Sequence, residues 1–181
     1  MYANNEIGTI QPIAEIGALV HAKKVYFHTD ACSAAGFLNL DVKALNVDLM
    51  TINSGKIYGP KGVGLLYVRE NISLLPLSYG GGQEEGLRSG TENVPGIVGF
   101  ARALELVQEE KEKESKRLGG LRDKLIRGLL EKIMNCKLNG DAAVRLAHNV
   151  NITFFGVEGE TLLMYLNNAG IYVSSGSACT A

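Results

Sequence analysis

The sequence predicts an α/β fold: a mainly parallel sheet with flanking helices, followed by part of a smaller α/β unit. Three observations carry this. Short apolar runs rich in β-branched and aromatic residues recur at 25–29, 49–52 and 63–68. Stretches with apolar residues at helical spacing alternate with them, at 12–24 and again at 96–133. A second, shorter set of the same elements follows residue 133, and such alternation is the signature of layered α/β architectures.

In order, the chain opens on Asn4-Asn5-Glu6-Ile7-Gly8, a polar turn with almost no strand before it, and stops at Thr180-Ala181 without a terminal helix. Both ends are expected to be cuts in a longer protein. Residues 12–24 form a helix: Pro12 suits a first-turn position, and Ile13, Ile16, Leu19 and Val20 make one apolar face. The strand at 25–29 ends at Asp30, and a short helix and loop pass through 41–45. Buried strands at 49–52 and 63–68 flank a turn containing Lys56. Gly80-Gly81-Gly82 opens a loop that reaches Pro95. A helix then runs from 96 to 133; its charged middle, 109–117, is a solvated face, and Gly119-Gly120 is expected to kink or break it. A strand near 149–154, a helix at 159–168 and a short strand at Ile171-Tyr172-Val173 complete the smaller unit. The division is expected after residue 113, giving 1–113 and 114–181.

Composition narrows the function. The 181 residues are 46% hydrophobic and 20% charged with net charge −1, ordinary globular values without an electrostatic footprint for nucleic acid. The apolar runs fall far short of the roughly 20 residues that span a bilayer, so no membrane partner is expected. The first residues carry neither a basic region nor an apolar core, so no signal peptide is read there. Cys32, Cys136 and Cys179 have no CxxC spacing and no even pairing, which suits a reducing, cytoplasmic setting. His21, His28 and His148 are too scattered for a metal site, and none is expected.

Lys56 is the most informative residue. It follows a buried strand and is followed at once by Tyr58-Gly59-Pro60-Lys61-Gly62, which forbids a helix and forces a tight path. On such a turn a lysine is expected to be partly desolvated; desolvation disfavours the ammonium and makes the amine more nucleophilic, as a Schiff-base lysine requires. A plain solvated loop lysine fits the same stretch. A phosphate-binding P-loop does not, because the glycine spacing before Lys56 and Lys61 is not that of the motif and no Ser or Thr follows either. Asp30 also ends a strand, and ligands of open α/β sheets sit outside the carboxyl ends of strands. The pair is either a simple ion pair or the lysine and ring-nitrogen partner of pyridoxal phosphate (PLP). The stretch Ser174-Ser175-Gly176-Ser177-Ala178-Cys179 is either a surface loop with an incidental cysteine or a mobile loop presenting a nucleophilic thiol.

Taken together these stretches resemble the cysteine desulfurases, PLP enzymes of the class V aminotransferase superfamily. The matching segments are Asn4-Asn5-Glu6-Ile7-Gly8, His28-Thr29-Asp30-Ala31, Lys56-Ile57-Tyr58-Gly59-Pro60-Lys61-Gly62, Gly80-Gly81-Gly82-Gln83-Glu84, Leu87-Arg88-Ser89-Gly90-Thr91-Glu92-Asn93 and the serine loop through Thr180. The resemblance implies a partial PLP-dependent aminotransferase-like fold, with 1–113 part of the large PLP-binding domain and 114–181 part of the small C-terminal domain. It implies that Lys56 anchors PLP, that Asp30 partners the ring nitrogen, that Asn5 and Ser33 lie on the ring hydroxyl side, that Asn53 and Ser54 donate to the phosphate, and that Thr91 reaches the phosphate of a neighbouring subunit in a homodimer. Cys179 resembles the thiol that attacks the substrate sulfur and carries the persulfide.

The sequence departs from the family where Gly55 replaces the usual histidine before the lysine and Ser33 replaces a glutamine. The family's ring-stacking histidine, its Gly/Thr phosphate loop and its carboxylate-binding arginine have no counterpart in these residues. The implied activity converts L-cysteine to L-alanine and passes sulfur to an acceptor or scaffold protein, for iron–sulfur cluster assembly or other transfer. This stretch alone is expected to be inactive. Selenocysteine lyase, or a truncated non-catalytic protein, are the alternatives.

Overall fold

The computed structural model describes residues 1–176, which divide into two compact units. The first contains Met1, Tyr2 and residues 11–112; the second contains residues 3–10 and the chain from Lys113 onward.

In the first unit, α1 (Ile13–Ala22) starts directly after Pro12 and buries Ile13 and Gly17. A sheet of three strands follows, β1 (His28–Asp30), β2 (Leu49–Asn53) and β3 (Gly64–Val68). β2 is central: β1 runs parallel to it, with Asp30 opposite Thr51, and β3 runs antiparallel, with Asn53 opposite Gly64. The sheet is therefore mixed, and together with its helices it makes the unit α/β. The strand expected over 25–29 begins only at His28. The reason is Asp48, 2% exposed, whose carboxylate accepts the Phe27 N–H at 2.8 Å while its own N–H donates to the Phe27 carbonyl. Phe27 is thus tied to Asp48, and its carbonyl also accepts the Leu49 N–H at 3.1 Å at the start of β2. Arg69 Nη1 and His21 Nε2 complete the shell around Asp48 at 2.7 and 2.9 Å. The helix expected at 41–45 is a turn, with the Asp41 carboxylate accepting the amides of Lys43 and Ala44. The core is apolar: Met50 and Ile52 from β2, Ala31, Ala34 and Ala35 after β1, with Ile57, Val63 and Phe100. Each fully buried aliphatic side chain there contributes roughly 1.5–3 kcal/mol.

Helix α2 (Val94–Lys132) has 39 residues and Pro95 in its first turn. The break expected at Gly119-Gly120 does not occur. Each glycine costs about 1 kcal/mol relative to alanine, which is small against a cooperative helix of this length.

In the second unit, β4 (Cys136–Leu138) pairs antiparallel with β5 (Ile152–Phe154), and α3 (Gly159–Asn168) follows. Pattern reading gives β5 and α3 but misses β4, whose three residues are too short for a visible alternation. The strand expected at Ile171–Val173 is absent among the described residues, and those side chains are exposed. No helix of the described residues is long and apolar enough to cross a membrane.

Candidate active site

At the carboxyl end of β2 the chain turns through a single 3-10 turn, Ser54–Ile57, and leaves through Tyr58 in the left-handed region (φ 64°). The Ser54 N–H donates to the Val63 carbonyl and the Gly59 N–H to the Ser54 carbonyl, both at 3.1 Å, so the loop is stitched at its base. It is also packed from the side by the first turns of α2. A Cβ on Gly99 would lie 2.6 Å from Pro60 Cγ, and one on Gly96 would lie 2.5 Å from Val63 Cγ2. Small residues on the helix let the turn come close and hold its path.

Lys56 projects from this turn, and its Nζ donates to Ser33 Oγ at 3.2 Å. Ser33 follows Asp30, the last residue of β1, so two neighbouring parallel strands deliver lysine, hydroxyl and carboxylate to one place. Burial is the largest single influence on the Asp30 carboxyl and works to raise it, but hydrogen bonds from the Cys32 N–H (2.8 Å) and thiol, with the charge of Lys56, act against it, and the carboxyl is held below its usual range. Asp30 is thus an anion well below neutral pH. The expected partial desolvation of Lys56 is not found: the side chain is exposed, because it stands on the outer side of a one-turn helix.

Cys32 sits beside this group with its Sγ 3.8 Å from the Thr51 carbonyl. Burial, and after it the hydrogen bond and negative charge of Asp30, push its thiol up to about 11. It stays protonated at neutral pH and makes a poor nucleophile.

The remaining sequence-derived candidates are placed differently. Asn53, the last residue of β2, is exposed at the mouth of the turn. Ser54 is 0% exposed, and its hydroxyl has no hydrogen-bond partner among the described residues. It lies under Gly59, whose missing Cβ would collide with Ser54 Oγ. Thr91 is exposed and lines a shallow hollow with Glu84, Arg88 and Asn93. That loop is shaped by Ser89 Oγ donating to the Ser78 carbonyl and by the Gly90 N–H donating to Gln83 Oε1, both at 3.1 Å. Asn5 belongs to the second unit, exposed on the turn Asn4–Gly8. Cys179 lies outside the described residues.

One primary amine, one ionised carboxylate and a hydroxyl converge on an accessible face. That donor set fits PLP, which offers an aldehyde, a basic ring nitrogen and a ring hydroxyl. Pattern reading missed Arg145 and Asn149, which hold the Asn5 turn; an arginine and an asparagine in a loop carry no local signal. Among the described residues no cluster of three or more His, Cys, Asp or Glu is placed to hold a metal ion.

The family model for aminotransferase class-V matches residues 1–181. The cysteine desulfurase IscS of Clostridium botulinum (strain Hall) is 51% identical over 183 residues, which cover 100% of this chain and 46% of that protein. The cysteine desulfurase IscS of Methanosarcina thermophila is 54% identical over 181 residues, covering 100% and 45%. Among solved structures, a NifS-like protein from Rickettsia africae ESF-5 superposes with a TM-score of 0.92 at 35% identity, covering 97% of this chain and 49% of that one. The chain thus spans about half the length of the relatives it matches.

Proposed function

We propose that this chain, which belongs to the class-V aminotransferase family, is the PLP-lysine and sulfur-carrier portion of a cysteine desulfurase. One observation carries the proposal: neighbouring parallel strands bring Lys56, Ser33 and Asp30 together, with Lys56 Nζ 3.2 Å from Ser33 Oγ. In its support, relatives at 51% and 54% identity across the whole chain bear the name cysteine desulfurase.

When bound, PLP supplies an electron sink. Lys56 holds it covalently and then moves the proton at the substrate α-carbon. Asp30, kept ionised by Cys32 and Lys56, holds the proton on the ring nitrogen. Ser33 and Asn5 would serve the ring hydroxyl, and Asn53 and Thr91 would serve the phosphate. Ser54, buried under Gly59, shapes the turn from below. Cys179 thiolate takes the sulfur of L-cysteine: the substrate C–S bond breaks, an S–S bond forms, and the carbon takes up a proton to give L-alanine. Cys32 does not compete, because its thiol stays protonated. Residues 1–113 belong to a large cofactor domain and 114–181 to a small domain. The working form is a cytoplasmic homodimer that hands sulfur to an acceptor protein, as in iron–sulfur cluster assembly.

The test uses the full-length protein. After PLP loading and borohydride reduction, mass spectrometry is expected to find the label on Lys56. Cys179→Ser is expected to keep the visible PLP band and to lose alanine and persulfide together. A label on Lys61 with none on Lys56, or full alanine production in Cys179→Ser, sinks the proposal.

A further inference from the structure

Asn5 sits at the apex of a turn whose neighbouring backbone groups are held by side chains more than a hundred residues away in sequence. Arg145, 4% exposed, donates from Nη2 to the Ile7 carbonyl and to Asn149 Oδ1, both at 3.0 Å, and from Nη1 to the carbonyls of Asn139 (3.1 Å) and Asp141 (3.0 Å). Asn149 Nδ2 in turn donates to the Glu6 carbonyl at 2.8 Å, and Asn151 Nδ2 to the same carbonyl at 3.1 Å. On the other side of Asn5, Asn4 Oδ1 accepts the Glu6 and Ile7 amides, each at 2.9 Å. Gly8, at φ 76°, leaves room for Asn149, since a Cβ there would lie 2.5 Å from its Oδ1.

Backbone groups alone do not require this. A buried guanidinium is an expensive way to close a loop, and here its Nε also lacks a partner among the described residues. What the planar guanidinium provides is geometry: the two N–H bonds of Nη2 diverge to the Ile7 carbonyl and Asn149 Oδ1 while Nη1 holds the carbonyls of Asn139 and Asp141, and the Asn149 amide then fixes Glu6. A lysine, a point charge on a flexible stem, does not reproduce that. From this relay we propose that Arg145, acting through Asn149, is a positioning residue that holds the backbone of the Asn5 turn in one conformation, on which the proposed contact of Asn5 with PLP depends. The proposal rests on the assignment of Asn5 to PLP made above, and its test separates the two.

In the full-length protein, Arg145→Lys, Asn149→Ala and Asn5→Ala are compared with the parent by two measurements. Amide hydrogen exchange at Glu6, Ile7 and Gly8 without PLP reports the turn itself. Loss of a charge-assisted hydrogen bond is expected to speed exchange there by about tenfold or more in Arg145→Lys and Asn149→Ala. PLP titration followed by visible absorbance reports the cofactor. Asn5→Ala is expected to weaken PLP binding about tenfold, Arg145→Lys by a similar factor, and the double variant carrying both Arg145→Lys and Asn5→Ala by no more than Asn5→Ala alone. Unchanged exchange in both Arg145→Lys and Asn149→Ala overturns the proposal, and so does a double variant whose losses multiply. Faster exchange, with PLP binding untouched in Asn5→Ala, keeps the relay and overturns the assignment of Asn5 to the cofactor. Arg145→Ala extends the series where circular dichroism shows it folded; Arg145→Lys and Asn149→Ala carry the test without it.

Discussion

Two turns present candidate cofactor residues, and they are held by opposite means. The Lys56 turn is held by packing: Gly96 and Gly99 of α2 approach Val63 and Pro60 so closely that no Cβ fits between them, and Ile57 is buried beneath. The Asn5 turn is held by polar bonds from Arg145, Asn149 and Asn151 to the carbonyls of Glu6 and Ile7. The chemistry explains the difference. On the proposed reading, a lysine that bonds a cofactor needs a rigid base, which van der Waals contact supplies without engaging the amine. On the same reading, an asparagine that only donates or accepts needs its backbone fixed, which directional hydrogen bonds do better. The first turn is therefore sensitive to volume and the second to polarity.

Arg145→Ala gives the largest expected effect. It strips several carbonyls and the Asn149 amide of a charged partner at once, and is expected to destabilise the full-length protein by about 3–5 kcal/mol in urea unfolding. A loss below about 1 kcal/mol would show that water replaces the guanidinium and that polarity does not govern that turn.

Gly99→Val comes next. The added branch meets Pro60, so a cost of about 1–3 kcal/mol is expected, with a loss of PLP affinity because the Lys56 turn must shift. Unchanged stability and affinity would break the contrast from the packing side.

Asp48→Asn tests the anchor behind the sheet, with about 1–2 kcal/mol expected from weakening the bonds to Arg69, Phe27 and His21. Burial raises the Asp48 carboxyl, but those three bonds more than offset it and hold it below its usual range. The folded state thus binds this proton less readily than the unfolded state does. The stabilisation is complete above the ordinary aspartate value near pH ~3.9 and is lost as pH falls through the lower folded value. Acid titration of the unfolding midpoint is expected to show that loss in the parent and a flatter profile in Asp48→Asn.

Ser54→Ala is the smallest. Removing a buried hydroxyl that has no partner is expected to range from neutral to about 1 kcal/mol more stable, with PLP affinity unchanged. Weaker PLP binding would make Ser54 a phosphate donor after all.

Much of this was legible along the chain because the signals are local. Pro12 starts α1 and Gly159 starts α3 where their patterns place them. The apolar run before Lys56 is β2, and the Gly-Pro sequence after it makes the turn. Other features failed for stated reasons. Two adjacent glycines suggest a break, yet cooperative hydrogen bonding carries α2 through them. The apolar trio Ile171-Tyr172-Val173 has strand composition but no ladder partner among the described residues, and composition alone does not make a strand.

The sequence by itself determined the α/β class, the strand-end positions of Asp30 and Lys56, and the turn that carries the lysine, because each depends on residues within one or two turns of chain. Only the tertiary structure decided that Ser33 meets Lys56, that Asp30 and burial keep the Cys32 thiol protonated, that Ser54 lies beneath Gly59, and that residues 3–10 fold with the second unit under the hold of Arg145. Those depend on which distant groups share a low-dielectric neighbourhood, and a buried donor or charge takes its partner from whatever the fold brings within about 3 Å.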